Sequence, residues 1–135
     1  MSDIILHQYE MSPFSRKVIS IFAHKNIAWH AVDQTITAPK PELTPLTGGY
    51  RKIPVMQIGA HIYCDTKLII RELEKRFPET PLTPPELLGA AEIIADWADH
   101  RLFSNVAGPS IFEIGKLVPK DFLADRAAMQ RPEVM

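Results

Sequence analysis

A chain of 135 residues, 46% hydrophobic and 23% charged, can bury one real core, and a second full domain would be crowded. Its formal net charge of -1 gives no electrostatic case for nucleic acid or an anionic membrane, and no apolar stretch approaches the roughly 20 residues that span a bilayer. Met1-Ser2-Asp3 has no basic cluster of the secretory kind. A single cysteine, Cys64, excludes an internal disulfide framework and fits a reducing compartment, so a cytoplasmic location is expected.

The first predicted element is a strand within residues 3–9, where Ile4-Ile5-Leu6 is continuous enough to be covered on both faces. Ser12 and Pro13 then supply an N-cap and a first-turn proline. Phe14, Val18, Ile21 and Phe22 recur at helical spacing, which predicts a helix over residues 13–25. A short strand over residues 28–32 completes a β-α-β unit. Residues 35–50 carry Pro39, Pro41, Pro45 and Gly48-Gly49, the composition of an exposed loop with one short helical turn. Residues 54–58 and 60–64 read as an antiparallel hairpin turning at Gly59. Ile69, Ile70, Leu73 and Phe77 mark one face of a helix over residues 65–77, stopped by Pro78. The charge run at residues 71–76 is mixed in sign and reads as a solvated helix face.

A proline-rich linker spans residues 79–85. Thr83 and Glu86 have capping-box spacing with Pro84 between them. Leu87, Ala91, Ile94, Ala98 and Leu102 predict a long amphipathic helix that closes at Gly108-Pro109, and residues 121–130 predict a short one. The expected domains are residues 1–78, an α/β unit, and residues 86–135, a partial all-α unit.

Three constellations could carry chemistry. Ser12-Pro13-Phe14-Ser15 caps the first helix, where unpaired N–H groups and the helix dipole favour an anion. Lys52-Ile53-Pro54 stands at the entrance to a strand. A cis bond there would turn the Ile53 N–H and C=O toward an extended peptide, whereas a trans bond makes an ordinary turn. Asp65-Thr66 opens the last helix of the first domain. It can serve as a simple cap or hold the ammonium and carboxylate of an α-amino acid. Cys64 reads as a small buried residue. The five histidines, His7, His24, His30, His61 and His100, lack metal-ligand spacing, and no metal is expected. Trp29 and Trp97 read as core or interface residues.

A β-α-β-loop-β-β-α domain with Ser-Pro-Phe-Ser capping its first helix resembles the thioredoxin and glutaredoxin superfamily. There the tetrapeptide is Cys-Pro-aromatic-Cys, so Ser12 and Ser15 remove the dithiol route. The Lys-Ile-Pro entrance, the Asp-Thr opening and the linker into a long helix narrow the resemblance to glutathione transferases. The fold class implied is α/β, a thioredoxin-like domain followed by a partial all-α segment. The resemblance further implies that glutathione is the co-substrate. Ile53 and Pro54 would lie along its cysteinyl unit, Asp65 and Thr66 at the γ-glutamyl end, Lys52 at the glycyl carboxylate, and Phe14 beside the site. Ser12 or Tyr9 would address the sulfur. A small electrophile as second substrate and a homodimer are implied as well; a non-catalytic binding or dimerisation module is the alternative. The family's helical domain is considerably larger than the stretch of chain after Pro78 here, which puts the electrophile pocket in doubt.

Overall fold

The computed structural model describes residues 3–114, 118 and 120–129. The elements run β1 (Ile4–Gln8), α1 (Pro13–His24), β2 (His30–Asp33), α2 (Thr44–Thr47), β3 (Val55–Ile58), β4 (His61–Cys64) and α3 (Thr66–Arg76). A 3-10 turn at Pro85–Leu87 leads into α4 (Leu88–Trp97). A π-helical stretch at Ala98–Leu102, α5 (Phe103–Ile114) and α6 (Lys120–Met129) come next. Chain contacts divide the protein into two compact units, one ending at Leu82 and the other beginning at Thr83.

The four strands form one mixed sheet in the order β2-β1-β3-β4; β2 is parallel to β1, and β3 is antiparallel to both its neighbours. Alternation along the strands puts Ile4, Leu6, Met56 and Ile58 on one face, where they pack with Val18, Ile21 and Phe22 of α1 and Ile69 and Leu73 of α3. The sheet's other face is partly polar: the His7 ring nitrogens lie 3.2 Å from Gln57 Oε1 and 3.4 Å from Gln34 Nε2. This is the mixed sheet with helices that the thioredoxin-like reading requires.

Helix α1 shows how local sequence sets its ends. Ser12 has extended backbone (φ -74°, ψ 116°) and its hydroxyl accepts the Ser15 N–H at 3.1 Å, while Pro13 occupies the first turn. At the other end Asn26 takes φ +52°, and the bonds Asn26 N–H to Ala23 O and Ile27 N–H to Phe22 O form a Schellman closure.

Several expectations need correction. Pairing of β2 starts at Ile5 opposite His30, so β2 begins two residues later than predicted, and Trp29 instead packs on Phe22 at 5.3 Å. The 35–50 segment is not wholly exposed, since Leu43 is fully buried. The Thr83–Glu86 capping box does not form: Pro84 and Leu87 sit at the successive N-cap positions, without a side-chain cap. Gly108-Pro109 does not end the helix; Pro109 lies inside α5, and beside it the Ser110 hydroxyl donates to Val106 O at 2.8 Å. Of the two alternatives left open for Trp97, core or interface, its 52% exposure removes only a place in the core among the described residues. Gln130, the predicted end of the last helix, lies outside the described residues.

The charge run at 71–76 is more than a solvated face. Lys25 is buried, and its ammonium donates to Phe77 O (2.8 Å) and Thr80 O (2.7 Å) while pairing with Glu74 Oε1 at 2.6 Å. Glu74 in turn accepts the Leu82 N–H. Arg76, hydrogen-bonded to Glu72, helps to hold the Glu72 carboxyl below the usual carboxylate range.

Candidate functional site

The sheet register brings the sequence-predicted residues to one end of the first unit. His7 lies opposite Val55, and Val55 lies opposite Cys64. The chain leaves β1 toward Tyr9 and Ser12, enters β3 from Ile53 and Pro54, and leaves β4 into Asp65 and Thr66. All three constellations therefore meet at the same edge of the sheet. Three adjacent strands span two inter-strand spacings, roughly 10 Å, about the length of an extended three-residue peptide.

At the β1–α1 corner the two hydroxyl candidates differ in access. Ser12 is only 1% exposed, and the Ser15 N–H is the partner its oxygen accepts, which leaves the hydroxyl hydrogen for another acceptor. Tyr9 is half-buried, and its carbonyl accepts the Ser12 N–H at 3.0 Å. Phe14 is half-buried in the first turn of α1. Ser15 is fully buried and its hydroxyl has no hydrogen-bond partner among the described residues.

The Ile53–Pro54 bond is cis, the alternative that the entrance to β3 left open. Pro54 is buried and Ile53 half-buried, while Lys52 is exposed.

At the β4–α3 corner Asp65 adopts φ +75° and ψ 133°, a conformation that side-chain-bearing residues rarely take. Its carboxylate is exposed and accepts the Lys67 N–H at 2.8 Å, capping α3. Thr66 is buried at the first position of the helix. Cys64 is half-buried rather than buried. Burial, followed by the Asp65 charge, pushes its thiol up from the ordinary value, which disfavours the thiolate.

Sequence reading missed one residue here. Tyr50 is half-buried beside this corner, and burial together with the Asp65 and Cys64 charges pushes its phenol up to about 12. The aromatic directly after Gly48-Gly49 was the available signal, but nothing in the pattern tied it to Asp65.

Among the described residues no group of three or more His, Cys, Asp or Glu could hold a metal ion. No described helix is long and apolar enough to cross a membrane.

A family model described as "Glutathione S-transferase, N-terminal domain" matches residues 6–81. A GST-like protein from Pseudomonas syringae is 44% identical with a TM-score of 0.70, over 75% of this chain and 37% of its own. Glutathione S-transferase U4 of Arabidopsis thaliana is 25% identical over 82% of this chain and 48% of its own length. The chain thus spans about half the length of the curated relative it matches. Rice GST1, solved in complex with glutathione, has a TM-score of 0.67 at 24% identity over 76% of this chain and 49% of its own, and shares the fold. With the strand order, the capped helices and a family match across nearly all of the first unit in agreement, the chain belongs to the glutathione S-transferase family.

Proposed function

We propose that this protein binds glutathione across the ends of strands β1, β3 and β4 and activates the thiol for attack on an electrophilic small molecule. The observation that carries the reading is the convergence of Ser12, Ile53 and Asp65-Thr66 at the ends of three neighbouring strands. Rice GST1, which shares the fold, was solved with glutathione. Ile53 offers main-chain groups to the cysteinyl unit, Asp65 offers a carboxylate to the γ-glutamyl ammonium, and the α3 N-terminus offers N–H groups to its carboxylate. Lys52, which is exposed, would meet the glycyl carboxylate, and Phe14 would lie beside the site.

Ser12 is the favoured partner of the sulfur, with Tyr9 its rival. Lowering a thiol pKa by about two units takes roughly 3 kcal/mol. One hydrogen bond to the charged sulfur supplies about 1.5–3 kcal/mol and the helix dipole about 0.3–1 kcal/mol more, so one hydroxyl at the head of α1 suffices. Burial of Ser12 adds a condition: the sulfur must reach it along the β1–α1 corner.

The second unit favours a further reading, a homodimerising or binding module without turnover. Its α4 exposes Ile93 (73%), Ile94 and Trp97, apolar surface that a second copy would cover. Calorimetric titration of glutathione tests the ligand site on which the first reading depends. Saturable binding that weakens in both Asp65→Ala and Thr66→Ala supports the glutathione site; no binding by a folded wild-type chain removes it and leaves the module.

A further inference from the structure

Between α3 and α4 the chain carries four prolines, Pro78, Pro81, Pro84 and Pro85. Composition alone allows either a loose tether or a stiff spacer, and the hydrogen bonds decide between them.

The first half of this segment is held by side chains of the first unit. The Lys25 side chain is fully buried, and its ammonium donates to Phe77 O and Thr80 O while pairing with Glu74. The same carboxylate accepts the Leu82 N–H at 3.2 and 3.3 Å. Phe77 and Leu82 both pack against the core of the first unit, and the Thr80 hydroxyl is buried with no partner among the described residues. A loose segment would turn that hydroxyl to water. The ion pair therefore grips the main chain at Phe77, Thr80 and Leu82.

The second half is stiff for a different reason. Pro84 has the extended backbone of a polyproline helix (φ -56°, ψ 141°), and Pro85 starts the 3-10 turn that the Leu87 N–H closes on Pro84 O at 2.9 Å. Thr83 lies between the two halves, and the ring of Pro84 restricts it to extended conformations.

We infer that residues 77–85 form a stiff arm rather than a flexible tether: Lys25 and Glu74 strap residues 77–82 to the first unit, Pro84 and Pro85 stiffen the rest, and bending is confined to Thr83. The strap is a conformational device, because releasing it extends the free run of chain from Thr83 alone to residues 77–83.

Backbone order parameters and amide exchange across residues 77–88 of the full chain test the arm. In wild type, Phe77, Thr80 and Leu82 are expected to match α3, at about 0.85, with any drop confined to Thr83. In Lys25→Met the values at Thr80 and Leu82 are expected to fall below about 0.6, with the sheet unchanged. The Leu82 amide is expected to exchange about tenfold faster in that variant. Glu74→Gln keeps an oxygen for Leu82 but no charge for Lys25. It is expected to loosen Phe77 and Thr80 more than Leu82, and it decides the strap if Lys25→Met does not fold. Pro84→Ala is expected to loosen Thr83 and leave residues 77–82 as they are. Wild-type values below about 0.6 at Thr80 and Leu82 would overturn the stiff arm. Wild-type order in the strap variants would overturn the part given to Lys25 and Glu74, and an unchanged Thr83 in Pro84→Ala the part given to the prolines.

Discussion

The Lys25 ammonium lies 2.6 Å from the Glu74 carboxylate, and its two further contacts, Phe77 O and Thr80 O, belong to the chain just beyond α3. All three ammonium hydrogens therefore have acceptors, and one buried cation fastens residues 77–82 to the end of α1. Lys25→Met strands Glu74 and two carbonyls. The expected cost is about 3 kcal/mol, read as a lower urea midpoint with unchanged slope. An unchanged midpoint would mean that solvent already satisfies the pair.

Ser12→Ala and Tyr9→Phe assign the thiol partner. If Ser12 donates to the sulfur, the pKa of bound glutathione, followed by thiolate absorbance, rises by about 1–2 units in Ser12→Ala and stays put in Tyr9→Phe. The reverse pattern gives the duty to Tyr9. Ser12→Ala also removes the cap of α1, at a cost of about 1 kcal/mol in thermal unfolding.

Asp65→Asn separates charge from geometry, since asparagine still caps a helix and tolerates positive φ. Stability is expected to hold while glutathione affinity drops about tenfold. That difference should narrow as salt is raised, because the carboxylate is exposed. A salt-independent loss would point to distortion of the corner instead.

Tyr50 also leaves a signature in alkali. Its phenol holds its proton to about pH 12 in the folded chain and to about pH 10 once unfolded, so in that interval the unfolded state binds fewer protons. The stabilisation is complete below about pH 10 and is lost as pH climbs toward 12. The denaturation midpoint of wild type should therefore fall relative to that of Tyr50→Phe over that window; parallel curves would contradict the raised value.

Much of this fold was legible because short-range chemistry and burial agree. Strand β1 opens on three successive aliphatics, and α1 is bracketed by Ser12-Pro13 and Asn26. Strands β3 and β4 are pinned by a turn at Gly59 (φ +59°). What escaped reading is long-range. Lys25 and Glu74 are 49 positions apart, and neither side chain announces a buried partner in its own neighbourhood. The extension of α5 through Pro109 was hidden for a related reason: local propensity marks Gly108-Pro109 as a stop, and helix on both sides overrides it. At the candidate site the pattern named the three constellations, but Tyr50 belongs there only through the path of the loop that carries it.

Ser15 has a consequence for substitution. Its hydroxyl is fully enclosed with no partner among the described residues, an arrangement that a polar oxygen tolerates poorly and a sulfur tolerates well. Cysteine at that position would suit the enclosure at least as well as serine. Two substitutions, Ser12→Cys and Ser15→Cys, would turn this helix start into a Cys-Pro-Phe-Cys sequence.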